Sequence, residues 1–175
     1  MKPRAFVVGL VVVAVVATCA GIAVGSSVAA TGVGGTSVER VNVARGTEVF
    51  HSSSTAFDDI VGATTKITVP AGHRSFLVAR FTAQEDCSAG DGNPNGHCMA
   101  RILLGSNELQ PGPGGTIVDT VTGGLAAGIR SMALDRSSAP LRPGTYTVKV
   151  QARVTSSLMI LEITDWHLTV ERVDV

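Results

Sequence analysis

From Thr145 to Val154 apolar and polar residues alternate without a break: Tyr146, Val148, Val150, Ala152 and Val154 against Thr145, Thr147, Lys149, Gln151 and Arg153. A β-strand turns successive side chains to opposite faces, so this period of two describes a strand with one face in a core and the other in water. Leu141-Arg142-Pro143-Gly144 precedes it with turn chemistry, Pro presetting its backbone angle and Gly permitting a positive one.

The same grammar recurs along the chain. Arg74–Gln84 reads as a more buried strand with Leu77, Ala79, Phe81 and Ala83 inward and Phe76 and Val78 partly covered. Cys98–Leu104 follows with Ala100, Ile102 and Leu104 on one face. Leu158–Ile163 is strongly apolar; Trp166, Leu168 and Val170 then alternate with Asp165, His167, Thr169 and Glu171. The phase slips near Thr164-Asp165, which predicts a turn or bulge, with Trp166 in the core and His167 in water. Weaker strands are expected at Val41–Phe50, Thr65–Val69, Thr116–Val121 and Ile129–Asp135. Glycine- and proline-rich breakers separate them. No long helical periodicity occurs beyond residue 30. The expectation is an all-β fold: a single two-sheet antiparallel β-sandwich of jelly-roll type with about eight strands over residues 38–175.

Lys2 and Arg4 precede an apolar stretch from Ala5 to Val24, and small residues follow in Gly25-Ser26-Ser27-Val28-Ala29-Ala30. A basic start, an apolar middle and a small-residue cleavage site define a secretory signal peptide, expected as a helix over residues 1–30. Ala30, Ala29 and Ala20 are all compatible cleavage points. The stretch is also about the ~20 residues that span a bilayer, so an uncleaved anchor is the rival reading. Residues 31–37 are small and read as a flexible linker.

Without Lys2 and Arg4 the chain keeps 12 basic residues against 14 acidic ones, and they are scattered. That balance lacks the clustered Lys and Arg that hold nucleic acid by its phosphates, so nucleic acid is not an expected partner. The acidic pairs Asp58-Asp59 and Glu85-Asp86 read as solvated strand ends.

Cys87 and Cys98 are the only cysteines past the leader. In an oxidising compartment two cysteines around a polar, glycine-rich loop are expected to pair. The natural picture is a hairpin whose long tip is stapled shut. Immunoglobulin sandwiches instead bridge their two sheets with cysteines far apart in sequence, which favours the jelly roll here.

Chemistry is sparse. Asp91, Asn93 and Asn95, with Gly96, match the opening half of a calcium loop, but the position that should supply a bidentate Glu is Ile102. They are weak metal candidates, and tight-turn chemistry explains them better. His51, His73, His97 and His167 have no metal-ligand spacing. No serine sits in a nucleophile elbow. Asp165, His167 and Glu171 share a strand face and form the one candidate acid–base patch, weighed against a solvated polar face. No catalytic residue and no cofactor is assigned. Phe50 and Phe57, flanking His51, are the aromatic residues left outside the expected core, and Phe50, His51 and Phe57 form the candidate exposed binding patch.

Val69-Pro70-Ala71-Gly72, Phe76-Leu77-Val78-Ala79-Arg80-Phe81-Thr82-Ala83 with Cys87, Cys98-Met99-Ala100-Arg101-Ile102-Leu103, Pro143-Gly144-Thr145-Tyr146-Thr147-Val148 and Asp165-Trp166-His167-Leu168-Thr169-Val170 carry a resemblance. Over roughly residues 65–172 the chain resembles a group of uncharacterised secreted β-sandwich proteins of high-GC actinobacteria. The resemblance implies export and brings no activity, ligand or site residue with it.

The functional expectation is a secreted or cell-surface, non-catalytic module that binds protein or glycan or associates with itself. An extracellular hydrolase acting on cell-envelope material is one alternative. A membrane-anchored envelope protein with the same ectodomain is the other.

Overall fold

The structure, a computed structural model, describes residues 35–89, 95–122 and 128–175. The expected leader, most of the linker, Asp91 and Asn93 lie outside the described residues.

Among the described residues ten strands form: β1 (Ser37–Gly46), β2 (Phe50–Ser52), β3 (Asp58–Val69), β4 (Ser75–Ala89), β5 (Gly96–Leu104), β6 (Asn107–Glu108), β7 (Thr116–Val121), β8 (Arg130–Ser137), β9 (Gly144–Val154) and β10 (Met159–Asp174). The first sheet runs β1-β10-β4-β8, with β2 pairing β10 at Leu161–Ile163, beyond the end of β1. The second runs β3-β9-β5, with β6 and β7 sharing the far edge of β5. All pairings are antiparallel. Counted as one broken edge strand each, β1/β2 and β6/β7 reduce the ten segments to eight strands, four per sheet. Successive strands switch between sheets except at β5 and β6/β7, which is the jelly-roll connectivity.

Each sheet turns one alternating row inward. Leu77, Ala79, Phe81 and Ala83 from β4 and Leu161, Ile163, Leu168 and Val170 from β10 meet Ile67, Ile102, Val148 and Val150 of the second sheet. Trp166 is 4% exposed and stacks on Phe81 with ring centroids 6.5 Å apart. His167 is exposed, as the alternation predicts. The linker ends earlier than expected. Ser37 already belongs to β1, and Thr36 donates its backbone N–H to the Asp174 carbonyl at 3.0 Å.

The disulfide forms as expected, with Cα atoms 6.0 Å apart and both cysteines buried, but it does not staple a hairpin. β4 pairs with β10 and β8, whereas β5 pairs with β6, β7 and β9, so the bridge ties one sheet to the other. The short sequence separation hid this because the connection between β4 and β5 is itself a sheet-to-sheet crossing.

Two irregularities interrupt the ladders, one in each sheet. β10 is one strand with a bulge. Thr164 pairs Gln84 and His167 pairs Thr82, which leaves Asp165 and Trp166 opposite Ala83 alone. β3 loses register with β9 between Asp59 and Thr64, looping out a segment that contains Gly62 at φ +80°. Gly62 and Gly46 both lie against the Trp166 indole.

Candidate functional site

The bulge in β10 places one residue in an unusual backbone conformation. Asp165 is the one non-glycine residue with positive φ (+46°) among the described residues. Asp tolerates this left-handed conformation better than most residues, and a bulge uses it to re-aim a side chain. Thr164, Asp165 and His167 consequently crowd the outer face, while Trp166 is driven inward.

Asp165 is shared by two adjoining recesses. One, of about 500 Å³, is lined by Arg45, Gly46, Thr47, Asp165, Trp166 and His167. The other, of about 370 Å³, is lined by Thr82, Ala83, Gln84, Ser131, Met132, Ala133 and Asp165. Together they draw on β1, β10, β4 and β8, making an open groove across all four strands of the sheet. Its walls carry a guanidinium, a carboxylate, an imidazole, hydroxyls and an amide. Arg45 and His167 are cross-strand partners. Among the described residues the buried Trp166 Nε1 finds no hydrogen-bond acceptor.

The acid–base patch expected from Asp165, His167 and Glu171 is only partly assembled. Asp165 and His167 both line the groove, but they do not bond to each other; the His167 Nδ1 lies 3.5 Å from Thr169 Oγ1. Glu171 is drawn to Arg80 at 3.4 Å. It sits in register with Val41 and Val78, away from the bulge.

Phe50, His51 and Phe57 do not make one patch. Phe50 is opposite the inward-facing Ile163 and packs against the core. His51 points outward and meets Glu162 at 3.1 Å. Phe57 is half-buried against two guanidinium groups, with Arg101 3.9 Å and Arg153 4.7 Å from its ring centre. On that outer face of the second sheet Arg101 donates to Gln151 Oε1, Gln151 donates to Asp59 Oδ1 at 2.6 Å, and Lys149 binds Asp59. Hydrogen bonds from Lys149 and Gln151 hold the Asp59 carboxyl below its ordinary pKa. One exposed aromatic surface is thus replaced by a stacked, hydrogen-bonded network that alternation along a single strand does not reveal.

Glu85 is not a solvated strand end. It continues the inward row of β4, after Ala83 and before Cys87, and is 2% exposed. Among the described residues its Oε2 and the Oδ2 of buried Asp119 have no hydrogen-bond partners, while Arg130 donates to Asp119 Oδ1 at 3.0 Å. Burial pushes the Glu85 pKa up to about 7; Asp119 and Asp86 add to the rise and Arg130 opposes it.

Asn95, the described member of the calcium-loop candidates, is exposed. The four histidines are held by four separate partners: His51 by Glu162, His73 by Asp174, His97 by Thr120 and His167 by Thr169. Among the described residues no three His, Cys, Asp or Glu side chains are grouped to hold a metal ion. Nor is any helix there long and apolar enough to cross a membrane.

No protein-family model matches the chain, and no curated protein is similar to it. Among solved structures, dimeric latent PorU from Porphyromonas gingivalis is similar over 81% of this chain, at 12% identity and a TM-score of 0.33. This chain spans 14% of that protein's length, and so slight a likeness speaks neither to fold nor to function.

Proposed function

We propose that the domain is an extracellular binding module that takes a polar, hydroxyl-rich chain such as a glycan along the groove centred on Asp165. The carrying observation is the bulge. It sets a left-handed Asp165 between two recesses whose combined size suits an extended ligand. Arg45, Asp165, His167, Gln84 and Ser131 supply donors and acceptors in a row, the arrangement that reads a series of hydroxyl groups. A buried inter-sheet disulfide, the signal-like start and the resemblance to secreted actinobacterial proteins support an exported setting.

The test is a glycan array with the full chain, followed by titration of any hit against Asp165→Asn, Arg45→Ala and His167→Ala. Each variant should weaken binding, while Lys149→Gln on the opposite sheet should not. Binding indifferent to all three groove variants sinks the proposal.

One observation favours the hydrolase alternative: Asp165 and His167 line the same recess. Turnover of an envelope glycan that vanishes in both Asp165→Asn and His167→Gln would establish it in place of simple binding.

A further inference from the structure

Where the edge of the first sheet meets the edge of the second, three cations surround one recess. Arg40 on β1 is the direct cross-strand partner of Arg172 on β10. Like charges directly opposed on neighbouring strands repel, so this pairing is unfavourable unless something negative lies between them. Lys66 of β3 joins them, and with Asn42, Thr68 and Pro70 they line a recess of about 240 Å³.

The cations are poorly neutralised. Arg40 Nε donates to the neutral Asn42 Oδ1 at 2.9 Å. Arg172 Nη1 donates to the Thr68 carbonyl at 2.9 Å, while its buried Nε has no hydrogen bond and lies 3.4 Å from Asp174 Oδ1. That carboxylate is already engaged by His73 and Ser75, each at 2.6 Å. Glu39, beside Arg40, is taken by the Ser37 hydroxyl. Among the described residues no ion pair forms at Lys66 or Arg40. The backbone is fixed as well: Asn42 and Arg172 reach across from the first sheet to carbonyls of Lys66 and Thr68 on the free edge of β3. The recess therefore gathers donors from three strands around a space too small for an extended ligand.

We infer that this recess binds a tetrahedral oxyanion, a phosphate or sulfate group, with Arg40, Lys66 and Arg172 as its charged donors. Such an anion offers oxygens in several directions to guanidinium and ammonium groups and cancels the repulsion between Arg40 and Arg172. The recess shares no residue with the Asp165 groove, so this inference stands apart from the glycan reading.

The test uses the full chain with sodium phosphate, sulfate and acetate at constant ionic strength, read by calorimetric titration and by thermal unfolding. Phosphate or sulfate should bind saturably and raise the melting temperature, and the tighter of the two identifies the ester the natural ligand carries. Arg40→Gln and the exposed Lys66→Gln should each weaken binding by about tenfold, the strength of one charge-assisted hydrogen bond. Lys149→Gln should not. Without added anion Arg40→Gln should melt no lower than the parent, since it removes a repulsion; a purely structural Arg40 would lower it. The inference fails if neither oxyanion binds saturably, if acetate binds as tightly, or if both recess variants leave affinity unchanged.

Discussion

A methyl group placed on Gly46 would lie 2.6 Å from Cζ2 of Trp166. The β1 backbone passes so close over the buried indole that only a residue without a side chain fits. Trp166 cannot retreat, because Phe81 stacks against it inside the core. Gly46→Ala is therefore expected to destabilise the fold by about 1–3 kcal/mol, the usual cost of overpacking. Urea denaturation measures this, and the chain's single Trp reports it directly through a shift in fluorescence toward the exposed indole spectrum. A variant with the parent's midpoint and emission would show that the contact yields freely.

Glu85 should make stability depend on pH in an unusual direction. Its folded pKa is raised from 4.5 to about 7, so between those values the folded chain holds a proton that the unfolded chain has lost. The stabilisation is complete below the unfolded value and disappears as pH rises through the folded one. At most it amounts to about 3 kcal/mol. Urea midpoints should fall from about pH 5 to pH 8, and Glu85→Gln should flatten that slope and exceed the parent in stability at the upper end. A parent midpoint that rises over this interval contradicts the assignment.

Because the Cys87–Cys98 bridge connects the sheets, removing it loosens their packing as well as a loop. The Cys87→Ser, Cys98→Ser double variant should lose about 3 kcal/mol, the value expected for closing a loop of this span. Both sulfurs are buried, so in the parent thiol labelling after mild reductant should track global unfolding rather than run ahead of it. Rapid labelling of the folded chain would place the bridge at the surface instead.

Phe57 tests the network on the second sheet. Replacing its ring with Ala removes two guanidinium contacts, each worth about 0.5–1 kcal/mol at a partly exposed site. Phe57→Ala should lower stability by about 1–2 kcal/mol and leave the proposed glycan binding in the Asp165 groove unchanged. Loss of glycan binding in this variant would move the binding face to the other sheet.

The parts of this fold that can be read along the chain are those written in local alternation. Thr145–Val154 forms β9 with one added residue, Trp166 lies inside and His167 outside, and the slip at Thr164-Asp165 is a bulge. Glu85 carried a readable signal too, since it occupies the inward phase between Ala83 and Cys87. Its acidic neighbour Asp86 obscured that phase. What local pattern does not encode is which sheet a strand joins. The disulfide was therefore expected within a hairpin, and Phe50 and Phe57 on one patch. The Arg40–Lys66–Arg172 recess has no local signature at all, because its three cations meet only when both sheet edges are in place.

Among the described residues β1 pairs with no strand but β10, and Ser37 lies opposite Asp174. The opening segment of the domain must therefore wait for the closing one before its backbone groups find partners, the most distant strand pairing among the described residues. Such closure is slow, because the entropy of the whole intervening loop is lost before the contact gives anything back. During synthesis the β1 edge therefore stays open until β10 has been made.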